Sequence, residues 1–83
     1  MTIEQTYYPS PGLNQIYDAT LAYVKVLMVA RSGTVYDVLI SNDDISINTR
    51  QVLYQPSFGA LVFNSEIPFI SGESVNIIYD PNI

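Results

Sequence analysis

Short apolar runs recur along the chain at intervals of about ten residues, with turn-forming residues between them. The runs contain mostly Val, Ile, Leu, Tyr and Phe, residues that favour strands. They are AYVKVLMVA (22–30), TVYDVLI (34–40), QVLYQ (51–55), ALVF (60–63) and VNIIY (75–79). This spacing is typical of sandwiches and barrels rather than of alternating strands and helices. We therefore predict an all-β fold, a small antiparallel β-sandwich or barrel-like domain of five to seven strands.

Residues 13–31 fit two patterns. Leu13, Ile16 and Tyr17 open a series with helical spacing, so a helix in this stretch stays open. From residue 21 onward both faces are apolar except for Lys25, as in a strand that is buried on two sides. We predict a strand over residues 21–31 and a loop or a single helical turn over 13–19.

Gly, Pro and Asn/Asp residues predict where the chain turns. Residues 31–34 (RSGT) and 56–59 (PSFG) are each expected to close a hairpin. Residues 71–73 (SGE) should turn the chain into the last strand, and Pro68-Phe69 should lie at an edge or corner because Pro cannot donate to a ladder. Residues 45–49 (ISINT) alternate and predict a short edge strand.

The first residues read as an extended segment that is separate from the domain. Residues 2–8 favour β structure, and Pro9-Ser10-Pro11-Gly12 stops any helix. We predict an extended N-terminal arm over residues 1–12 and a single β domain over 13–83. The adjacent tyrosines Tyr7 and Tyr8 should pack against this chain or a neighbouring one, because leaving both in water is costly.

The composition favours an oligomer. Of the 83 residues, 48% are hydrophobic and only 13% are charged, against about 25% in ordinary soluble domains. A small domain has much surface for its volume and needs charge to cover it. We therefore expect other chains to cover part of this surface.

The charge balance argues against two classes of partner. The net charge is −5, and the three cations are Lys25, Arg31 and Arg50. Three scattered cations cannot neutralise a row of phosphates, so we expect neither nucleic acid nor an anionic membrane surface as partner. Residues 1–12 have no basic start and no apolar h-region, so we expect no signal peptide. No apolar run approaches the roughly 18 residues of a membrane helix.

The side chains for catalysis are few. The chain has neither His nor Cys, so it lacks the usual imidazole base and thiolate nucleophile. Asn42, Asp43 and Asp44 offer oxygen ligands, but no D-x-D-x-D-G loop surrounds them, and loop capping is the expected role. The sequence predicts a protein that is not an enzyme and has no catalytic, cofactor-binding or metal site.

Aromatic residues are the remaining candidates for a binding surface. Four tyrosines lie inside predicted strands, where cross-strand packing is the common role. Tyr7, Tyr8 and Tyr17 lie outside strands, and Phe58 lies at the tip of a turn. The three tyrosines could face a ligand such as a carbohydrate ring. An exposed Phe58 would contact another protein, or it could fold back on its own hairpin.

The order of strands and turns from Ala22 to the end resembles small β-modules of bacteriophage virion proteins: head fibres, tail fibres and decoration proteins. The resemblance is carried by Gly59-Ala60-Leu61-Val62-Phe63, then Pro68-Phe69, then residues 72–79 (GESVNIIY). Such modules often close with a run of the form G-x-L-x-F, P-F, G-E-x-V-x-I-x-Y. In this unit Pro68 should fix a bend, and Phe69 should plug the end of the core.

The resemblance implies a non-enzymatic structural component, commonly trimeric, that attaches to a capsid or tail protein. Its location would be the virion, assembled in the host cytoplasm. Five aromatic residues are the candidates for the assembly interface: Tyr7, Tyr8, Tyr17, Phe58 and Phe69. The alternative function is a carbohydrate-binding module at a host-attachment fibre tip, with a glycan receptor as partner.

Overall fold

Seven strands form one sheet in the computed structural model, which describes residues 1–82. The strands are β1 (Ile3–Tyr7), β2 (Gln15–Tyr17), β3 (Lys25–Arg31), β4 (Thr34–Ile40), β5 (Gln51–Gln55), β6 (Ala60–Phe63) and β7 (Val75–Asp80). A single 3-10 turn, Ala19–Leu21, lies between β2 and β3. The predicted all-β class is confirmed, with the strand number at the upper end of the predicted range. Residue 83 of the predicted domain lies outside the described residues.

The order of strands across the sheet is β1-β7-β3-β4-β5-β6-β2. All neighbours are antiparallel except β4 and β5, which are parallel. Strand β4 pairs with β3 through Thr34–Tyr36 and with β5 through Asp37–Ile40. Because β4 changes partner halfway along its length, the sheet curls into a half-barrel with an inner, concave face.

The predicted N-terminal arm is not confirmed. Residues 3–7 are the edge strand β1, which pairs with β7 from Ile3–Tyr79 to Tyr7–Val75. Ile3 and Tyr7 pack against the core, while Glu4 and Thr6 between them are exposed. The alternating residues place one face of β1 on the core while its backbone pairs with the edge of β7. Residues 3–7 therefore belong to the domain.

The strand predicted over residues 21–31 begins later than expected. Residues 21–24 form the end of the 3-10 turn and a bend, and β3 starts at Lys25. Residues 15–17, predicted as loop or helical turn, form the short strand β2. The edge strand predicted at 45–49 is wrong, because residues 41–50 connect the parallel strands β4 and β5 without pairing as a strand.

The predicted turns are confirmed. Strands β3 and β4 are joined by a two-residue hairpin in which Ser32 and Gly33 have φ values of 49° and 85°. Positive φ at both positions characterises the type I′ turn, whose twist matches that of the flanking strands. Residues 56–59 join β5 to β6, and Gly72 takes a φ of 80° in the turn before β7.

The core lies on the inner face of the half-barrel. Its members come from every strand but β1 and β4, which contribute partly buried residues. Phe63 is its centre, with the rings of Tyr36 and Phe69 packed edge-on at 5.1 and 5.5 Å. Phe69 is buried, so it plugs the core as predicted, and it is not available as a surface residue of the interface.

The buried Tyr54 holds the bend before β3. Its hydroxyl donates to the Leu21 carbonyl and accepts a hydrogen bond from the Val24 N–H at 3.0 Å. Tyr54→Phe leaves two buried backbone groups without this partner, so we expect the free energy of unfolding to fall by about 1–3 kcal/mol. Urea denaturation measures the change. The exposed Tyr23 provides the control, since Tyr23→Phe removes a solvated hydroxyl. Equal effects of the two substitutions would contradict this role.

Candidate functional site

Two of the predicted interface residues, Tyr17 and Phe58, lie in one surface cleft. Their side chains are 61% and 59% exposed. The other lining residues are Asn42, Asp44 and Gln55, and the cleft has a volume of about 220 Å³. We call these five residues the aromatic cleft.

Sheet register brings the cleft together. On the outer face of the sheet, Tyr17 of β2 and Gln55 of β5 both stand opposite Ala60 of β6, so the three form one row across the strands. Phe58 belongs to the turn between β5 and β6 and donates its backbone N–H to the Gln55 carbonyl at 3.2 Å. Ala60, between Tyr17 and Gln55 in this row, is fully buried.

Hydrogen bonds fix the polar side of the cleft. Gln55 is only 5% exposed, and its Nε2 donates to Asp44 Oδ1 at 3.0 Å and to the Asn42 carbonyl at 3.4 Å. Asn42 Oδ1 accepts from the Ser57 N–H at 2.9 Å. Asn42 and Asp44 thus cap and hold the loop, as the sequence predicts. Among the hydrogen bonds of residues 1–82, Asp44 Oδ2, Asn42 Nδ2 and Gln55 Oε1 are not used.

The turn that carries Phe58 is anchored to the end of β2. The Asp18 N–H donates to the Gly59 carbonyl at 3.0 Å, directly after Tyr17. Gly59 has a φ of 61°, and a Cβ at this position would overlap the Asp18 carbonyl oxygen. A glycine is therefore required for β2 and the turn to approach each other so closely.

Tyr7 and Tyr8 lie elsewhere. Both line a smaller cleft of about 150 Å³ between β1 and β2, together with Pro9, Ser10 and Leu13. Tyr8 is exposed, whereas Tyr7 is half-buried. The predicted interface residues therefore divide between two surfaces and the core.

The Tyr7 hydroxyl has a structural role. It donates to Asp18 Oδ2 at 2.6 Å and so ties β1 to the end of β2 across the open side of the half-barrel. Burial and the neighbouring Asp18 carboxylate raise the pKa of Tyr7 well above its usual value. The hydrogen bonds from Tyr7 and from the Thr20 N–H lower the pKa of Asp18. The Tyr7 hydroxyl is thus neutral at physiological pH and occupied within the fold.

A buried ion pair joins the first hairpin to the turn before β7. Arg31 is 6% exposed, and its Nη2 donates to Glu73 Oε1 and to the Pro68 carbonyl, both at 2.9 Å. The guanidinium lies 5.1 and 4.8 Å from the ring centroids of Phe63 and Phe69, within cation–π range. The hydrogen bond from Arg31 lowers the pKa of Glu73. From the sequence, this pair looks like two ordinary turn residues.

Part of the outer sheet face is covered by the chain itself. Leu53 of β5 points outward but is only 2% exposed, and residues 44–47 line the cleft above it. This connection is held in place by Gln55 and by Asn64, whose Nδ2 donates to the Ile47 carbonyl at 2.8 Å.

The other half of the outer face has no such cover from residues 1–82. Val29 and Ile77 point into the core, so their neighbours along β3 and β7 point outward. Four of these outward residues are apolar and lie side by side, with Ala30 opposite Val35 and Met28 opposite Ile78. Asn76 of β7, opposite Ala30 on its other side, is polar and donates to Glu4 Oε2 at 2.6 Å, so it borders them. Leu27 joins them from a β-bulge between Val26 and Met28. We call Leu27, Met28, Ala30, Val35 and Ile78 the outer apolar patch.

In the described part of the chain, no three acidic side chains come together in a way that could hold a metal ion. Within the same residues, no helix has the length and apolarity needed to cross a membrane. No family model, curated protein or solved structure matches this chain.

Proposed function

We propose that this protein is a non-enzymatic structural module of a bacteriophage virion, of the head-fibre, decoration or tail-associated kind. It acts by assembling with copies of itself, as a trimer, and by attaching to a capsid or tail protein. The observation that carries the assembly proposal is the outer apolar patch. The virion proposal rests on the resemblance of the C-terminal pattern, whose apolar positions Leu61, Phe63 and Val75 belong to the core.

The patch supports contact with a second copy of this chain. Val35 and Leu27 are exposed although they belong to strands, and the outward residues Met28, Ala30 and Ile78 beside them on β3 and β7 are apolar and half-buried. Contiguous apolar surface of this kind marks a protein contact. On β5, the outward-facing Leu53 is covered by residues 44–47 of the connection between β4 and β5. Covering the outer apolar patch in the same way would remove apolar surface from water and stabilise the assembly.

Charges around the patch fit self-assembly. Lys25 points outward at the start of β3, opposite Asp80 of β7 in the same chain, and Glu4 and Asp37 lie on the same face on other strands. A neighbouring copy in a head-to-tail ring can therefore bring its carboxylates near Lys25. Heterologous contacts close into a ring when the rotation between neighbouring copies is one third of a turn, and a trimer needs this arrangement.

The test is the solution mass, measured by light scattering after size exclusion at micromolar concentration. We expect the unaltered chain to have three times the mass of one chain and Val35→Asp to reduce the mass to that of a monomer. Ile70→Asp is the control, because Ile70 is equally exposed but lies in the link between β6 and β7, outside the patch. A monomeric unaltered chain, or a loss of assembly in both variants, would contradict the proposal.

A further inference from the structure

We propose that the aromatic cleft binds a single neutral sugar ring of a glycan. The inference concerns a different surface from the outer apolar patch and does not depend on assembly. It rests on the two exposed aromatic rings of the cleft, on the polar side chains that line the cleft beside them, and on the negative charge of Asp44.

The aromatic rings supply the apolar part of such a site. A pyranose has faces of C–H groups, which pack against aromatic rings, and a rim of hydroxyls that needs polar partners. Tyr17 and Phe58 line the same cleft and expose most of their surfaces to water. Exposed aromatic rings that are fixed by backbone structure offer large contact area at a small cost in conformational entropy.

The polar side chains supply hydrogen bonds. Asp44 Oδ2 and Gln55 Oε1 are acceptors, and Asn42 Nδ2 is a donor, and none is used in the hydrogen bonds of residues 1–82. The buried Gln55 already fixes Asp44 through its Nε2. The carboxylate is therefore oriented before a ligand arrives, so that less entropy is lost on binding.

The size and charge of the cleft restrict the ligand. A volume of about 220 Å³ is below the roughly 300 Å³ at which pockets for drug-sized molecules begin, so one ring is the appropriate occupant. Asp44 is the charged residue of the cleft, no cation lines it, and the chain carries a net charge of −5. Sialic and uronic acids would place a second carboxylate beside Asp44, whereas neutral hexoses would donate hydroxyls to it.

The test uses the purified chain, labelled with a fluorophore, on an array of neutral and of sialylated or uronic-acid glycans. We expect binding to neutral glycans and little binding to acidic ones. For a neutral glycan that binds, Phe58→Ala and Tyr17→Ala should each weaken the affinity by about tenfold or more, as expected for the loss of one stacked ring. Phe58→Tyr keeps the ring and should retain binding. Asp44→Asn should weaken binding through loss of the charged acceptor.

Tyr8→Ala is the matched control, because Tyr8 is an exposed tyrosine in a different cleft. Circular dichroism of each variant separates loss of binding from loss of folding, and Phe58, in an exposed turn, offers the variant that disturbs the sheet least. The proposal is overturned if no neutral glycan binds, if acidic glycans bind better, or if Tyr8→Ala weakens binding as much as Phe58→Ala. The mass of Val35→Asp tests assembly separately, since this substitution leaves the cleft intact.

Discussion

Gly59→Ala should reduce the free energy of unfolding by about 3–5 kcal/mol, much of the stability of a domain of this size. Two costs combine. The φ of 61° is strained for any residue with a Cβ, and the added methyl group would overlap the Asp18 carbonyl oxygen. The Ala22 nitrogen, 3.2 Å from the same Cβ position, closes the other side.

The backbone around Gly59 cannot move aside cheaply. The Asp18 carbonyl accepts a hydrogen bond from the Leu21 N–H at 2.9 Å, and the Asp18 N–H donates to Gly59 itself at 3.0 Å. Relief of the overlap would therefore break the contact between β2 and the turn that carries Phe58. For this reason the variant should also lose the aromatic cleft.

Gly72→Ala separates the two costs. Gly72 also has a positive φ, of 80°, but apart from its two chain neighbours no described residue has an atom within 4 Å of its Cβ position. Gly72→Ala should therefore lower the free energy of unfolding only by the cost of placing a residue with a Cβ at positive φ, about 1–2 kcal/mol. Urea denaturation followed by circular dichroism compares the variants. If both substitutions destabilise the protein equally, the close approach of Asp18 and Gly59 has no energetic importance and the prediction is wrong.

Glu73→Gln should lower the free energy of unfolding by about 3 kcal/mol, because it leaves the buried guanidinium of Arg31 without its counter-charge. The amide keeps the size of the side chain and an oxygen that can accept from the Ile70 N–H, as Glu73 Oε1 does at 3.1 Å. Arg31 Nη1 has no hydrogen-bond partner within residues 1–82, so the guanidinium depends heavily on the bonds of Nη2. Glu66→Gln, at an exposed position, is the control and should change stability by less than about 0.5 kcal/mol.

The same pair predicts how stability varies with acid. Arg31 lowers the pKa of Glu73 in the folded state, so on acidification the unfolded chain binds a proton before the folded chain does. The stabilisation is complete above the ordinary pKa of a glutamate and is lost as the pH falls through the lowered value. Urea midpoints measured between pH 7 and 3 should fall less steeply for Glu73→Gln than for Glu66→Gln. Parallel curves would show that the ion pair does not contribute. The pKa of Asp18 is also lowered in the folded state, so its protonation at low pH also reduces stability. This reduction is present in both variants and does not affect the comparison between them.

The sequence predicts the elements that local chemistry determines. Runs such as 75–79 alternate with a period of two, and Ser32-Gly33 adopts the φ values that a tight hairpin demands. Pairing between distant segments is not local. Residues 3–7 carry the alternation of an edge strand, but nothing in them indicates that β7, some seventy residues later, is the partner. The parallel pairing of β4 with β5 cannot be read from the sequence either. The alternation of residues 45–49 predicts a strand, but these residues lie in the connection between the two parallel strands.

In the aromatic cleft, too, the individual residues can be predicted from the sequence but their contacts cannot. Tyr17 and Phe58 are predictable one by one, since each is an aromatic residue outside the main strand runs. Their meeting depends on the register that places Tyr17 opposite Ala60. Gln55 reads as one more strand residue, and its role as the fixed floor of the cleft follows only from its contact with Asp44. Arg31 likewise reads as a turn residue until the fold buries it beside Phe69.

The place of β7 in the sheet bears on how the chain folds as it is synthesised. β7 follows the other six strands along the sequence, yet it lies between β1 and β3, so the edges of these two strands that face β7 stay unpaired until residues 75–80 leave the ribosome. The nascent chain must keep the apolar β3 from pairing with other chains during this interval, because free strand edges promote aggregation. Closing this sheet therefore requires β7 to insert between two strands that were made before it.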